Sequence, residues 1–205
     1  MQQECLSQTI MTSRRIPKSV QNAARAALIV AAGMLGACAA LPDDAAVVEQ
    51  LDPDTGLTIA RLGHPIELFR ETFRKDTSGK FAFLGPFETN QMGRRELYLY
   101  VALPLQDPAS QVTPVISVDG TPLVLPEPGR APDSAGLQHP PYKIPMSWIA
   151  MLYYRIDQDL VTKLGAAASL KIEVTETTKA GTVKNDFSAQ LAGDPRLHAF
   201  SARQN

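Results

Sequence analysis

The side chains best suited to chemistry in this sequence are three histidines, His64, His139 and His198, together with its serines. No two histidines have the spacing of a zinc motif such as HExxH, and His64 and His139 each precede a proline. The serines form neither a GxSxG nor an SxxK pattern. These residues therefore predict no catalytic site, no metal site and no cofactor, although a catalytic triad assembled only by the fold would leave no such pattern.

Two acidic motifs have simpler structural interpretations. The sequence DPDTG at residues 52–56 is similar to the start of a calcium loop, but Gly56 has no side-chain oxygen and Gly63 stands where that loop needs a glutamate. We interpret it as a turn. Asp157 and Asp159 could form a pair of catalytic carboxylates, yet their place at a predicted helix start explains them through capping and the helix dipole.

Tyrosines and arginines around one strand suggest a binding surface. Residues 97–103 have an apolar side chain at every odd position, so the tyrosines at even positions can either join the core or line a second surface. Two arginines precede this strand, and another tyrosine ends a proline-rich connection, residues 126–145, that could close over it. The candidate partner-binding surface consists of Tyr98, Tyr100, Arg94, Arg95 and Tyr142. The alternatives are a place in the core for the strand tyrosines, a solvated turn for the arginines and a disordered loop for the connection that carries Tyr142.

Cys38 follows a segment with the form of an export signal. A leader without acidic residues, 11–25, precedes 12 uncharged residues, 26–37. This run is shorter than the roughly 20 apolar residues that span a membrane, but it matches the apolar part of a signal peptide. We expect residues 1–37 to be removed, with Met11 as an alternative start.

The residues at the end of this segment resemble the lipobox of bacterial lipoproteins, with Leu35, Gly36 and Ala37 before Cys38. The resemblance covers residues 11–38. It implies cleavage before Cys38, attachment of diacylglycerol and a further acyl chain such as palmitate, and stable membrane anchoring. Ala39 in place of an aspartate after the cysteine implies the outer membrane, with the domain on the periplasmic side.

The composition of the remaining chain excludes some functions. From Cys38 onward it has 16 basic and 20 acidic residues, a net charge of −4, which does not favour nucleic-acid binding. Cys5 lies in the segment expected to be removed, so Cys38 has no partner for an intramolecular disulfide. A chain of this length can bury an ordinary core without disulfides or metals.

The patterning predicts a mostly β fold. Alternation at residues 97–103 and 170–174, and an Asp-Gly turn at residues 119–120, indicate strands and a hairpin. One helix is predicted near residues 157–168, beginning at Asp157. We expect about eight strands in a β-sandwich-like arrangement or an open barrel.

The domain organisation follows from these elements. Residues 38–50 are predicted as a tether, residues 51–192 as the periplasmic domain and residues 193–205 as an irregular tail. The function expected is that of a membrane-anchored, non-catalytic binding or structural module for an envelope protein or glycan. A carrier of a small apolar ligand and a hydrolase with a site hidden from sequence remain the alternatives.

Overall fold

The computed structural model describes residues 46–71, 80–147 and 149–204. The predicted export segment and Cys38 lie outside this range. No helix among the described residues is long and apolar enough to span a membrane.

The mostly β fold is confirmed. The described part of the chain forms ten antiparallel strands and two α-helices, against the eight strands and one helix expected. The strands are β1 Val47–Leu51, β2 Thr58–Leu62, β3 Ile66–Arg70, β4 Phe81–Gln91, β5 Arg94–Pro104, β6 Gln111–Val118, β7 Thr121–Pro122, β8 Ile149–Ile156, β9 Ser169–Thr178 and β10 Gly181–Gln190, and the helices are α1 Gln158–Ala166 and α2 Pro195–Arg203.

The two longest strands, β4 and β5, form the middle of the sheet. β5 pairs with β4 on one side and with β8 on the other, as its apolar residues on both faces predict. Residues 98–104 are buried without interruption. The sequence therefore identifies the central strand correctly.

β4 divides the sheet into two branches. Its first half, residues 81–84, pairs with β3, and its second half, residues 87–90, pairs with β2. One branch continues from β2 to β1, and the other runs from β3 through β10, β9 and β6 to β7. All of these pairings are antiparallel, which agrees with the one-sided burial of β9 and β10.

The sheet stays open between β7 and β8. The Asp119-Gly120 turn is formed as predicted, with positive φ angles of 48° and 75°. After β7, the Leu123 N–H still donates to the Ile116 carbonyl at 2.8 Å, and six residues later Gly129 exchanges two 2.9 Å hydrogen bonds with Tyr153 of β8. The chain thus crosses from one edge of the sheet to the other and leaves a seam between them.

Both helices begin at an aspartate cap. The Asp157 carboxylate accepts a 2.8 Å hydrogen bond from the Leu160 N–H at the start of α1, which confirms the predicted helix. Asp194 does the same for Arg196 at 2.9 Å at the start of α2, with Pro195 in the first turn. The irregular tail predicted for residues 193–205 is therefore wrong, because a short helix with two buried apolar residues was missed.

The start of the folded domain also differs from the prediction. β1 begins at Val47, inside the predicted tether of residues 38–50, and pairs with β2 along its whole length. Residues 49–51 of β1 are all exposed, so the strand lacks the regular alternation of buried and exposed side chains that identifies a strand in sequence. The ion pair between Glu49 and Arg203 also connects it to α2.

Candidate functional site

The three tyrosines of the predicted binding surface are buried. Tyr98 is 6% exposed, Tyr100 0% and Tyr142 3%. The interpretation of these tyrosines as an exposed platform is therefore wrong. For Tyr98 and Tyr100 the alternative, a place in the core, is correct.

The reason lies in the proline-rich connection, residues 126–145, which covers the second face of the central strands. The Tyr142 hydroxyl donates to the Pro86 carbonyl at 2.6 Å and accepts from the Leu62 N–H at 3.2 Å. Its ring lies directly on Gly85, where an added Cβ would come within 2.6 Å of the ring. The connection is thus docked by a buried side chain that the sequence did not assign to the core.

Beneath this connection the aromatic side chains form a continuous layer. Phe87 and Tyr98 stack with ring centroids 5.2 Å apart, and Tyr100 contacts Tyr153 at 5.4 Å and Tyr142 at 5.6 Å. Burial raises the pKa of Tyr98 and of Tyr100 to about 12. The Tyr100 hydroxyl is buried with no hydrogen-bond partner among the described residues.

The two arginines of the predicted surface have different environments. Arg95 forms a two-pronged ion pair with buried Glu88, both contacts being 2.7 Å, and Gln204 after α2 bonds to both residues. This network joins the C-terminus to the sheet, so Arg95 has a structural role. Both arginines are exposed, but Arg94, at the tip of the β4–β5 hairpin, is more exposed than Arg95.

Three donors converge on Glu96, two residues beyond Arg94. The carboxylate accepts from Arg94 Nε at 3.0 Å, from the Tyr98 hydroxyl at 2.7 Å and from Arg155 of β8 at 3.2 Å. The hydroxyl of Tyr98 and the two guanidiniums hold the pKa of Glu96 below its ordinary value. The carboxylate is therefore ionised and fixed in position at neutral pH.

A polar pocket of about 460 Å³ opens on one side of this cluster. It lies between the β4–β5 hairpin, the turn before β2 and a short 3₁₀-helix, Pro132–Ala135, of the proline-rich connection. Its polar lining comes from Thr55, Thr89, Gln91, Arg94, Glu96, Tyr98 and Ser134. Two members of the predicted binding surface, Arg94 and Tyr98, thus lie at one pocket, although only the hydroxyl end of Tyr98 takes part in the polar cluster.

A second groove, of about 660 Å³, lies at the seam on the other side of Arg155. Leu123, Leu125 and Leu160 supply apolar lining, and Val124 is fully exposed on its wall. Lys163 and Asp159 of α1 stand on the rim. The Arg155–Glu96 ion pair therefore separates a polar pocket from a groove whose lining is part polar and part apolar.

The described residues show no arrangement typical of a metal centre. No group of three or more histidine, cysteine, aspartate or glutamate side chains in residues 46–71, 80–147 and 149–204 could hold a metal ion. Asp157 is occupied as a helix cap, and His64 and His139 are exposed.

The chain matched no protein-family model, no curated protein and no solved structure in comparisons with known proteins.

Three further residues complete the polar cluster and its pocket and were not predicted from the sequence: Glu96, Arg155 and Gln91. A signal for Glu96 was present, since strand alternation places it on the same face as Arg94 and Tyr98. Arg155 lies opposite Tyr98 in the β5–β8 pairing, and Gln91 lies opposite Arg94 in the β4–β5 pairing. That register is a property of the tertiary structure.

Proposed function

We propose that the protein is a lipid-anchored lipoprotein of the bacterial outer membrane whose periplasmic domain is a non-catalytic binding module. The lipobox ending at Cys38 supports the anchor. The partner is a component of the envelope, a protein or a glycan.

The observation that carries the binding role is the cluster around Glu96 with an open pocket on one side and an open groove on the other. A general acid needs a raised pKa, whereas the pKa of Glu96 is lowered, so this carboxylate is suited to holding a ligand and not to donating a proton. Ligand sites typically combine a few fixed polar groups with apolar surface.

A carrier of a small apolar ligand is the second candidate, because the seam groove has apolar lining and a volume of about 660 Å³. The groove lies between sheet edges and not within the core. A ligand there would stay partly in contact with water.

The proposal is tested by photo-crosslinking in living cells from position 124 in the seam groove. Val115 on β6, which is 45% exposed, provides the control position. We expect an envelope component to be crosslinked from position 124 and not from 115, and the protein to fractionate with the outer membrane. Cys38→Ser should release the protein or leave it unprocessed. A processed Cys38→Ser protein that stays on the membrane would contradict the anchor, and equal crosslinking from both positions would contradict the binding role.

A further inference from the structure

The polar pocket beside Glu96 has a size suited to a small ligand. Its volume of about 460 Å³ lies within the range of small-molecule sites. One wall belongs to the regular sheet, at the end of β4 and the start of β5, and the other two are the turn before β2 and the 3₁₀-helix of the proline-rich connection. That connection is fixed by the hydrogen bonds of Tyr142, so the pocket is already formed without a ligand.

The charges in the pocket balance. Its two ionisable charges at neutral pH are Arg94 and Glu96, which pair at 2.8 Å. A charged ligand would have to compete with this ion pair for its counter-charge. An uncharged ligand can bond to the outer atoms of both groups and leave the pair intact.

The hydrogen-bonding groups of the pocket include both donors and acceptors. Arg94 donates, Glu96 accepts, and the exposed Gln91 amide does both. The Ser134 hydroxyl donates to the Ala131 carbonyl and so offers an acceptor to a ligand, whereas the Thr55 hydroxyl accepts from the Leu57 N–H and keeps its proton to donate. A ligand that presents several hydroxyl groups matches this lining, because each hydroxyl is itself a donor and an acceptor.

The pocket also has an apolar part. Leu57, Ala135 and Gly136 line the wall near the 3₁₀-helix. A sugar ring has hydroxyls at its edge and C–H groups on its faces, so it can satisfy the polar groups and cover this apolar wall together.

From these features we infer that the pocket beside Glu96 binds an uncharged saccharide unit. The inference rests on the proposed binding function. It gives the ligand class for the polar pocket, one of the two sites that lie beside the Arg155–Glu96 ion pair. Gln91 and Arg94 contact the sugar hydroxyls, and the Glu96 carboxylate, fixed by Tyr98 and Arg155, orients them.

The test is a titration of the full chain in lipid nanodiscs with three soluble probes, monitored by saturation-transfer NMR and calorimetry. Di-N-acetylchitobiose and maltose are uncharged, and glucose 6-phosphate carries negative charge. We expect at least one uncharged disaccharide to bind with a dissociation constant of about 1 mM or lower, and glucose 6-phosphate to bind more weakly.

Two variants connect this binding to the pocket. Gln91→Ala should weaken disaccharide binding about tenfold through the loss of hydrogen bonds. Gln111→Ala, an exposed glutamine on β6 outside the pocket, should leave it unchanged. Glu96→Gln leaves Arg94 without its counter-charge and should improve binding of glucose 6-phosphate.

Three results would overturn the inference: no saturable binding of either disaccharide, a wild-type preference for glucose 6-phosphate, or equal losses in the two glutamine variants. If sugars fail while crosslinking from position 124 persists, the binding module stands and the saccharide pocket does not. Loss of that crosslinking with sugar binding intact would instead count against the envelope partner at the seam.

Discussion

At the scale of single residues, the buried tyrosines have unequal hydrogen bonding. The Tyr142 hydroxyl serves both the Pro86 carbonyl and the Leu62 N–H, whereas the Tyr100 hydroxyl has no partner among the described residues. Removing a satisfied buried hydroxyl leaves its partners unpaired, while removing an unsatisfied one removes only a desolvation cost. The same chemical change should therefore have opposite effects at the two positions.

We predict that Tyr142→Phe lowers the free energy of unfolding by about 1–3 kcal/mol and that Tyr100→Phe leaves it unchanged or raises it slightly. Urea denaturation of the two variants and the wild type measures the difference. Equal destabilisation by both changes would mean that the Tyr100 hydroxyl has a partner in solution.

Strand geometry also explains why only some residues of the predicted binding surface lie at one pocket. Arg94 lies at an open pocket because it is at a hairpin tip, while Arg95, the next residue, points to the opposite face and bonds to buried Glu88. Adjacent residues of a strand face opposite ways, so the two arginines could not both belong to one surface.

At the scale of elements, the proline-rich connection acts as part of the core. It contributes buried Ala135, Leu137 and Tyr142 and closes one wall of the polar pocket. The space for Tyr142 exists because residue 85 has no side chain. This dependence can be tested at the glycine.

Gly85→Ala should displace the connection, since the new Cβ would lie 2.6 Å from the Tyr142 ring. We expect limited proteolysis within residues 126–145 to accelerate. Gly165→Ala serves as the control, because its Cβ would lie 2.7 Å from Ser201 Cβ at the contact between α1 and α2. That change should lower stability without selectively exposing the connection, and identical cleavage patterns in the two variants would contradict the proposed docking.

At the scale of the whole molecule, helix α2 and the residue after it are bonded to the first and the fourth strand of the sheet. Arg203 pairs with Glu49 of β1, Gln204 bonds to Glu88 of β4, and Leu197 and Phe200 are buried. Removing an irregular tail should leave the free energy of unfolding nearly unchanged, whereas removing this helix should lower it.

A chain ending at Ala192 should therefore lose several kcal/mol of unfolding free energy, since two buried apolar side chains contribute about 1.5–3 kcal/mol each. A chain ending at Arg203 should lose much less, because it keeps the helix and, among the described residues, loses the hydrogen bonds of Gln204 to Glu88, Arg95 and the Ser201 carbonyl. Thermal unfolding of the two truncated proteins measures both effects. Equal midpoints for wild type and the shorter chain would contradict a stabilising role for α2.

The sequence by itself determined the mostly β class, the central strand, the Asp-Gly hairpin and the capped helix α1. Each of these depends on local alternation, turn chemistry or a cap, which operate over a few neighbouring residues. β1 was missed because its burial pattern has no alternation. α2 has the same length and the same kind of cap as α1, so its Asp194-Pro195 start was a local helix signal that was overlooked. Only the tertiary structure forms the site beside Glu96, because the β5–β8 register brings Arg155 to Glu96. It also determines which tyrosines are buried, because Tyr142 packs on Gly85 and covers the strands.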